Sequence, residues 1–178
     1  MILTILIWMS TYFLINLITE SSSHYYDFST PLDNLIPLIP IFSIIYVSAY
    51  ILMFIFPLFL ENTKAYFYSL LTLIGVTSFM FLIFPGYFPR PELGTDIFSR
   101  FLAWIYSLDK PYNLFPSSHI SLTVLNTLIF NNKWIYLWAG LIILSTLFTK
   151  QHYILDAVSG ILLAFICYKI YKINSLKA

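Results

Sequence analysis

Across residues 38–84 the only charged side chains are Glu61 and Lys64, and the chain on either side of that short break is almost uninterruptedly apolar. Each flank is about 20 residues long, the length a helix needs to cross a bilayer. Two such runs in succession leave few choices. A water-soluble core cannot cover them, because 60% of the 178 residues are hydrophobic and 10% are charged, whereas soluble domains carry about a quarter charged residues. Lipid must therefore serve as solvent for part of the surface. In lipid the backbone has to satisfy its own hydrogen bonds, which favours helices.

The remaining sequence extends the pattern. Six apolar spans are predicted at 2–18, 38–60, 65–84, 117–130, 134–148 and 153–171. The fourth and fifth are short, so their ends are expected in protein or at the interface. No repeat, low-complexity tract or linker divides the chain. The expected fold is all-α: one six-helix transmembrane bundle covering 1–178. The first span could be read as a cleaved signal peptide, but it lacks a basic leading region and Ser21–Ser23 is a weak cleavage cue, so it reads as retained. The single cysteine, Cys167, lies in an apolar run. It has no partner for an internal disulfide and reads as a buried structural thiol.

Between the third and fourth spans lies "GTDIFSRFLAWIYSL", residues 94–108. Its apolar residues recur at helical spacing on one face. Trp104 and Tyr106 suit the headgroup layer, so this reads as an interfacial helix, with a helix packed over the bundle as an equal alternative.

With the N-terminus inside, the inner segments hold Lys64, Lys133, Lys169, Lys172 and Lys177, and the outer ones Arg90, Arg100, Lys110 and Lys150. The bias becomes clearly positive-inside when Arg90 and Lys150 are kept outside for chemistry. Both termini then face the cytoplasm. The formal net charge of +1 and the lack of a basic run give no support to a nucleic-acid partner.

Three polar clusters then fall on the outer side: "FPRPE" at 88–92, "DKPYNLFPSSH" at 109–119, and "TKQHYILD" at 149–156. Arg90 and Lys150 are cations suited to an oxyanion. Ser117 and Ser118 offer hydroxyls and N–H groups at the start of a span, where a helix N-terminus favours an anion. His119 and His152 exchange protons near neutral pH. Asp156, four residues after His152, would share a helical face with it and hold one ring nitrogen. Two imidazoles, one oriented by a carboxylate, together with two cations match phosphoryl transfer through a phosphohistidine. One His attacks phosphorus and the other protonates the departing oxygen. Zinc is the competing use of two His and an Asp, but the neighbouring cations would repel a metal, so no metal or other cofactor is expected. Asp109 and Asn113 read as turn residues around Pro111. His24, beside Tyr25 and Tyr26, reads as a belt residue.

These residues resemble the type 2 phosphatidic acid phosphatase superfamily, whose signature is K-x6-R-P, P-S-G-H and S-R-x5-H-x3-D. Arg90-Pro91 matches the end of the first element, "PSSH" at 116–119 the second, and His152 with Asp156 the end of the third, over about half the chain, 89–160. The sequence departs from the pattern in placing Ile83 at the first-element Lys, Ser118 at the Gly, and Thr146 beside Ser145 at the third-element Arg. "TKQHYILDAVSG" is similar to the branch that includes inositol phosphotransferases acting on ceramide and many bacterial relatives. The resemblance implies six spans and an extracytoplasmic site in a bacterial cell membrane. It also implies His152 as nucleophile, Asp156 as its orienter and His119 as acid. Arg90, Ser117, Ser118 and Lys150 would bind phosphate, with Lys150 standing in for the missing Arg. The expected activity is hydrolysis of a lipid phosphate. Transfer to an alcohol or lipid acceptor, or lipid binding without catalysis, are the alternatives.

Overall fold

The computed structural model describes residues 2–176. Regular structure among them is helical apart from one isolated bridge between Tyr26 and Gly86. The α-helices are α1 (Ile2–Glu20), α2 (Ser43–Tyr50), α3 (Thr63–Ile83), α4 (Ile97–Leu108), α5 (Ser118–Phe130), α6 (Lys133–Phe148) and α7 (Ile154–Ser175). α2 continues through a π turn, Ile51–Ile55, and a 3-10 turn, Phe56–Phe59. Three helical segments, Pro40–Phe59, Thr63–Ile83 and Ile154–Ser175, are long and apolar enough to cross a membrane. Four shorter apolar helices accompany them: Leu6–Glu20, Ile97–Leu108, Ser118–Phe130 and Lys133–Phe148. The long segments carry apolar residues on their outer faces as well as inward. On α7, Leu162, Phe165 and Ile166 are exposed, while Leu163, Ala164 and Cys167 are buried. Outer faces of that kind are stable only against lipid, so the chain is a membrane protein.

Polar side chains set the helix starts. Asn62 accepts from the Ala65 N–H, Asp96 from Phe98 and Ser99, Ser117 from Ile120, and Asn132 from Trp134. Each satisfies backbone donors that have no partner within the helix. The break in α2 has a similar local cause. Pro57 has no N–H to give to the carbonyl four residues earlier, so the helix changes register as it reaches the proline. Within the resulting π turn, the Leu52 carbonyl accepts a hydrogen bond of 2.7 Å from Asn126 Nδ2 on α5.

α5 is the hub. Every residue from Ser118 to Thr127 is buried, so all of its faces meet protein. α7 packs closely against both α5 and α3, α1 against α3, and α6 against α2 and α5. The α5–α7 contact is tightest near their N-terminal ends. Ser121 Oγ donates to the Gly160 carbonyl at 3.0 Å, and Ser117 N donates to the Asp156 carbonyl at 3.1 Å. A Cβ on Gly160 would lie 2.7 Å from the Ser117 carbonyl oxygen, a backbone atom that cannot swing aside.

The polar segments gather at one end of the bundle. Tyr26 N donates to the Pro85 carbonyl, Phe88 N to Pro111, and Ile39 N to Phe148. These bonds tie residues 26–39 and 85–88 to one another, to the segment before α5 and to the end of α6, and Ile154 N donates to Asp33 at the start of α7. Gly160→Ala is expected to force the two helix starts apart, costing about 1–3 kcal/mol, as overpacked sites do. Thermal unfolding in detergent should show a lowered midpoint, and an unchanged midpoint would mean that the helices tolerate wider spacing.

Candidate active site

His119 lies in the first turn of α5, immediately after Ser117 and Ser118. Its ring stacks on Tyr46 of α2, centroids 4.4 Å apart and planes at 11°, and meets the edge of Tyr50 at 5.7 Å. His152 enters from the loop before α7. The two imidazoles and Ser118 line one cavity of about 300 Å³ between α1, α2 and α4. Behind His152, the fully buried Asp156 places Oδ2 3.5 Å from the ring Nδ1, within ion-pair reach but short of a formed hydrogen bond.

The pairing of His152 and Asp156 has a different basis from that expected. His152 is not helical, and α7 begins only at Ile154. Asp156 occupies the third helical position, and its Oδ2 accepts from the Tyr153 N–H at 2.9 Å. That bond is the carboxylate half of a capping box and fixes where the helix starts. His152 reaches the carboxylate because the loop turns over the first helical turn.

The two cations are placed differently from the imidazoles. Arg90 donates through Nη1 to the Lys150 carbonyl at 2.9 Å and through Nη2 to the Asp109 carbonyl at 3.0 Å. Its guanidinium also lies 4.2 Å above the Tyr106 ring. All three polar clusters are thereby joined through one side chain, although its terminal nitrogens are on backbone carbonyls. The Lys150 ammonium faces away from the imidazoles. It donates to the carbonyls of Asp33 at 3.0 Å and Ile36 at 2.6 Å, and lines a separate cavity of about 510 Å³ with Asp27, Asp33 and Tyr153. Burial pulls this ammonium below its ordinary pKa, and the Asp33 charge opposes the shift. Ser117 is buried and committed to capping α5. Of the proposed phosphate ligands, only Ser118 shares the cavity with the two histidines.

Several residues here were not singled out from sequence. Asp33 Oδ1 accepts from the Ile154 N–H at 2.8 Å, so it caps α7 from a 3-10 turn, Pro31–Leu35, far away in the chain. Its partner was invisible locally, although "TPLDNL" carries the spacing of a self-capped turn, and Asp33 does accept from Thr30. Tyr46 and Tyr50 are two hydroxyls at helical spacing in an apolar run, which is a readable signal. Asp109 and Asn113 do more than make a turn. Asn113 is buried and donates to the Tyr12 carbonyl, and Asp109 directs its carboxylate at the histidine cavity, accepting from Tyr12 Oη at 2.8 Å. Among the described residues, no group of three or more His, Cys, Asp or Glu side chains is arranged to hold a metal ion. Comparison with known protein families, curated proteins and solved structures returned no match for this chain.

Lys150 has a left-handed backbone, φ 53°. For a residue with a Cβ this costs about 1–2 kcal/mol, offset here by bonds to its carbonyl and its ammonium. Both Lys150→Ala and Lys150→Gly lose the ammonium contacts, but Gly alone relieves the backbone. Lys150→Gly should therefore unfold at a higher temperature than Lys150→Ala. The reverse order would show that the left-handed turn stores no strain.

Proposed function

We propose that this chain is an integral-membrane phosphatase that hydrolyses a lipid phosphate or diphosphate through a phosphohistidine. The reading carries six spans, with α4 lying along the interface and the polar end of the bundle facing out of a bacterial cytoplasm. One observation supports it above the others: two imidazoles, His119 and His152, line a single cavity at the polar end, with a buried carboxylate 3.5 Å behind one of them. The order of the Arg-Pro, "PSSH" and His-x3-Asp elements, and their resemblance to the type 2 phosphatidic acid phosphatases, point the same way.

In this mechanism a ring nitrogen of His152 attacks phosphorus. The bond from phosphorus to the lipid oxygen breaks, and His119 gives its proton to that oxygen. Asp156 stabilises the positive charge that develops on His152. Water then attacks the phosphohistidine while His119 takes its proton, the phosphorus–nitrogen bond breaks, and phosphate leaves. Ser118 is the hydroxyl placed to meet an equatorial oxygen. Arg90 acts by fixing the loops that carry both histidines.

The lining of the cavity favours a second reading. It is mostly aromatic and aliphatic, which suits a lipid hydroxyl better than free water as acceptor of the phosphoryl group. The first half-reaction is common to both.

His152→Ala should lose turnover by at least a thousandfold while the unfolding midpoint holds. Protein incubated with lipid labelled at phosphorus should yield an alkali-stable, acid-labile phosphoprotein that this variant lacks. Undiminished turnover in His152→Ala would refute the scheme. Lipid binding with neither turnover nor label in the wild type would leave a non-catalytic lipid-binding protein. Chelators should leave the rate intact, and a loss that zinc restores would assign the imidazoles to a metal instead.

A further inference from the structure

The histidine cavity holds a carboxylate that the phosphoryl transfer above does not use. Asp109 sits at the C-terminal cap of α4, where the helix dipole disfavours an anion. Its carboxylate accepts from Tyr12 Oη at 2.8 Å and from Tyr46 Oη at 3.5 Å. Among the described residues it forms no ion pair, and the nearby Arg90 spends its Nη2 on the Asp109 backbone carbonyl instead. No Lys or Arg lines the cavity. A carboxylate there repels a phosphate anion unless the ligand brings its own cation.

The walls around Asp109 are suited to one. Trp8, Tyr12, Tyr46, Tyr50 and Trp104 line the same space, and the negative faces of such rings attract ammonium groups. Tyr46 touches both ends of the site: its ring stacks on His119 and its hydroxyl reaches Asp109. The phosphate and cation positions are therefore one ring apart, a separation that suits an ammonium joined to phosphate through a short chain.

We propose that the cavity selects a lipid phosphate bearing an ammonium group, with phosphate at His119 and His152 and the cation between Asp109 and the aromatic walls. The inference deepens the function proposed above and rests on it for the phosphate position. The ammonium could belong to a zwitterionic phosphodiester headgroup or to an amino-lipid phosphomonoester, and the test has an arm for each.

The full-length protein in nanodiscs is titrated with short-chain, water-soluble probes, followed by tryptophan emission, since Trp8 and Trp104 face the cavity. The diester arm compares dihexanoyl-phosphocholine with dihexanoyl-phosphoglycerol. The monoester arm compares 2-amino-octyl phosphate with octyl phosphate. In at least one arm the ammonium probe should bind tenfold or more tightly than its match, and Asp109→Asn should reduce that ratio below threefold. If Asp109→Asn does not fold, Trp104→Leu, at the exposed rim, takes its place under the same criterion. Ratios below tenfold in both wild-type arms, or a ratio that stays at threefold or more after the substitution, overturn the proposal. The readout is binding, so the two failures separate. Ammonium preference without phosphohistidine refutes the reaction alone, and phosphohistidine without ammonium preference refutes the selection alone.

Discussion

The Arg90 fork is the constraint on which the polar end of this protein depends. One guanidinium holds the carbonyl of Lys150, two residues before His152, and the carbonyl of Asp109, in the segment that leads to His119. A charged donor on each carbonyl is worth more than a neutral one, and its planar geometry fixes the angle between the segments as well as their distance. A lysine ammonium can hold two carbonyls at once, as Lys150 does, but it has no planar fork to set the angle between them. The cation therefore shapes the site from its side, as a clamp on the backbone. Tyr106 completes the clamp by covering the guanidinium face and donating to the Thr149 carbonyl. Burial raises the Tyr106 hydroxyl to about 12, with Arg90 opposing the shift, so it remains a donor across the whole physiological range.

The helical segments were legible because lipid leaves the backbone so few options. Each apolar run of the sequence became a helix, with ends within a few residues of those expected, and the amphipathic stretch before "DKPYN" became α4. The gathering of Arg90, His119 and His152 at one end was also readable, from their positions at span boundaries. Direction was harder to read. Lys150 sits two residues from His152, but its left-handed backbone turns the ammonium toward Asp33 and Ile36. Nothing in "TKQHY" declares that φ value. His152 and Asp156 illustrate the same limit, because their spacing promised a shared helix face and the capping box delivered proximity without one. Asp33 and Asp109 were hidden for another reason. A carboxylate near a turn is ordinary, and its meaning lay in partners on other helices.

The two cavities divide the polar end by chemistry. The loop from Thr149 to Tyr153 is the wall between them: His152 faces the smaller, mostly apolar space, while Lys150 and Tyr153 face the larger, more polar one. The strap from Thr30 to Ile39 is bonded to that wall at Lys150 and to the residues on either side of it, Phe148 and Ile154. A shift of the strap would therefore be felt directly by the loop that positions His152.

Deeper in the bundle, the bond from Asn126 to the Leu52 carbonyl acts as a rotational index. An α-helix turns about 100° per residue, so a slip of one residue would point Tyr46 away from His119 and strip the cavity of both the stack and the hydroxyl at Asp109. Apolar packing alone resists such a slip weakly, because one aliphatic side chain can fill the place of another. A buried amide pulled off its carbonyl is left unsatisfied, which costs about 1–3 kcal/mol. The alignment of Tyr46 with His119 and Asp109 is in this sense set near the middle of the bundle, by a residue outside the cavity.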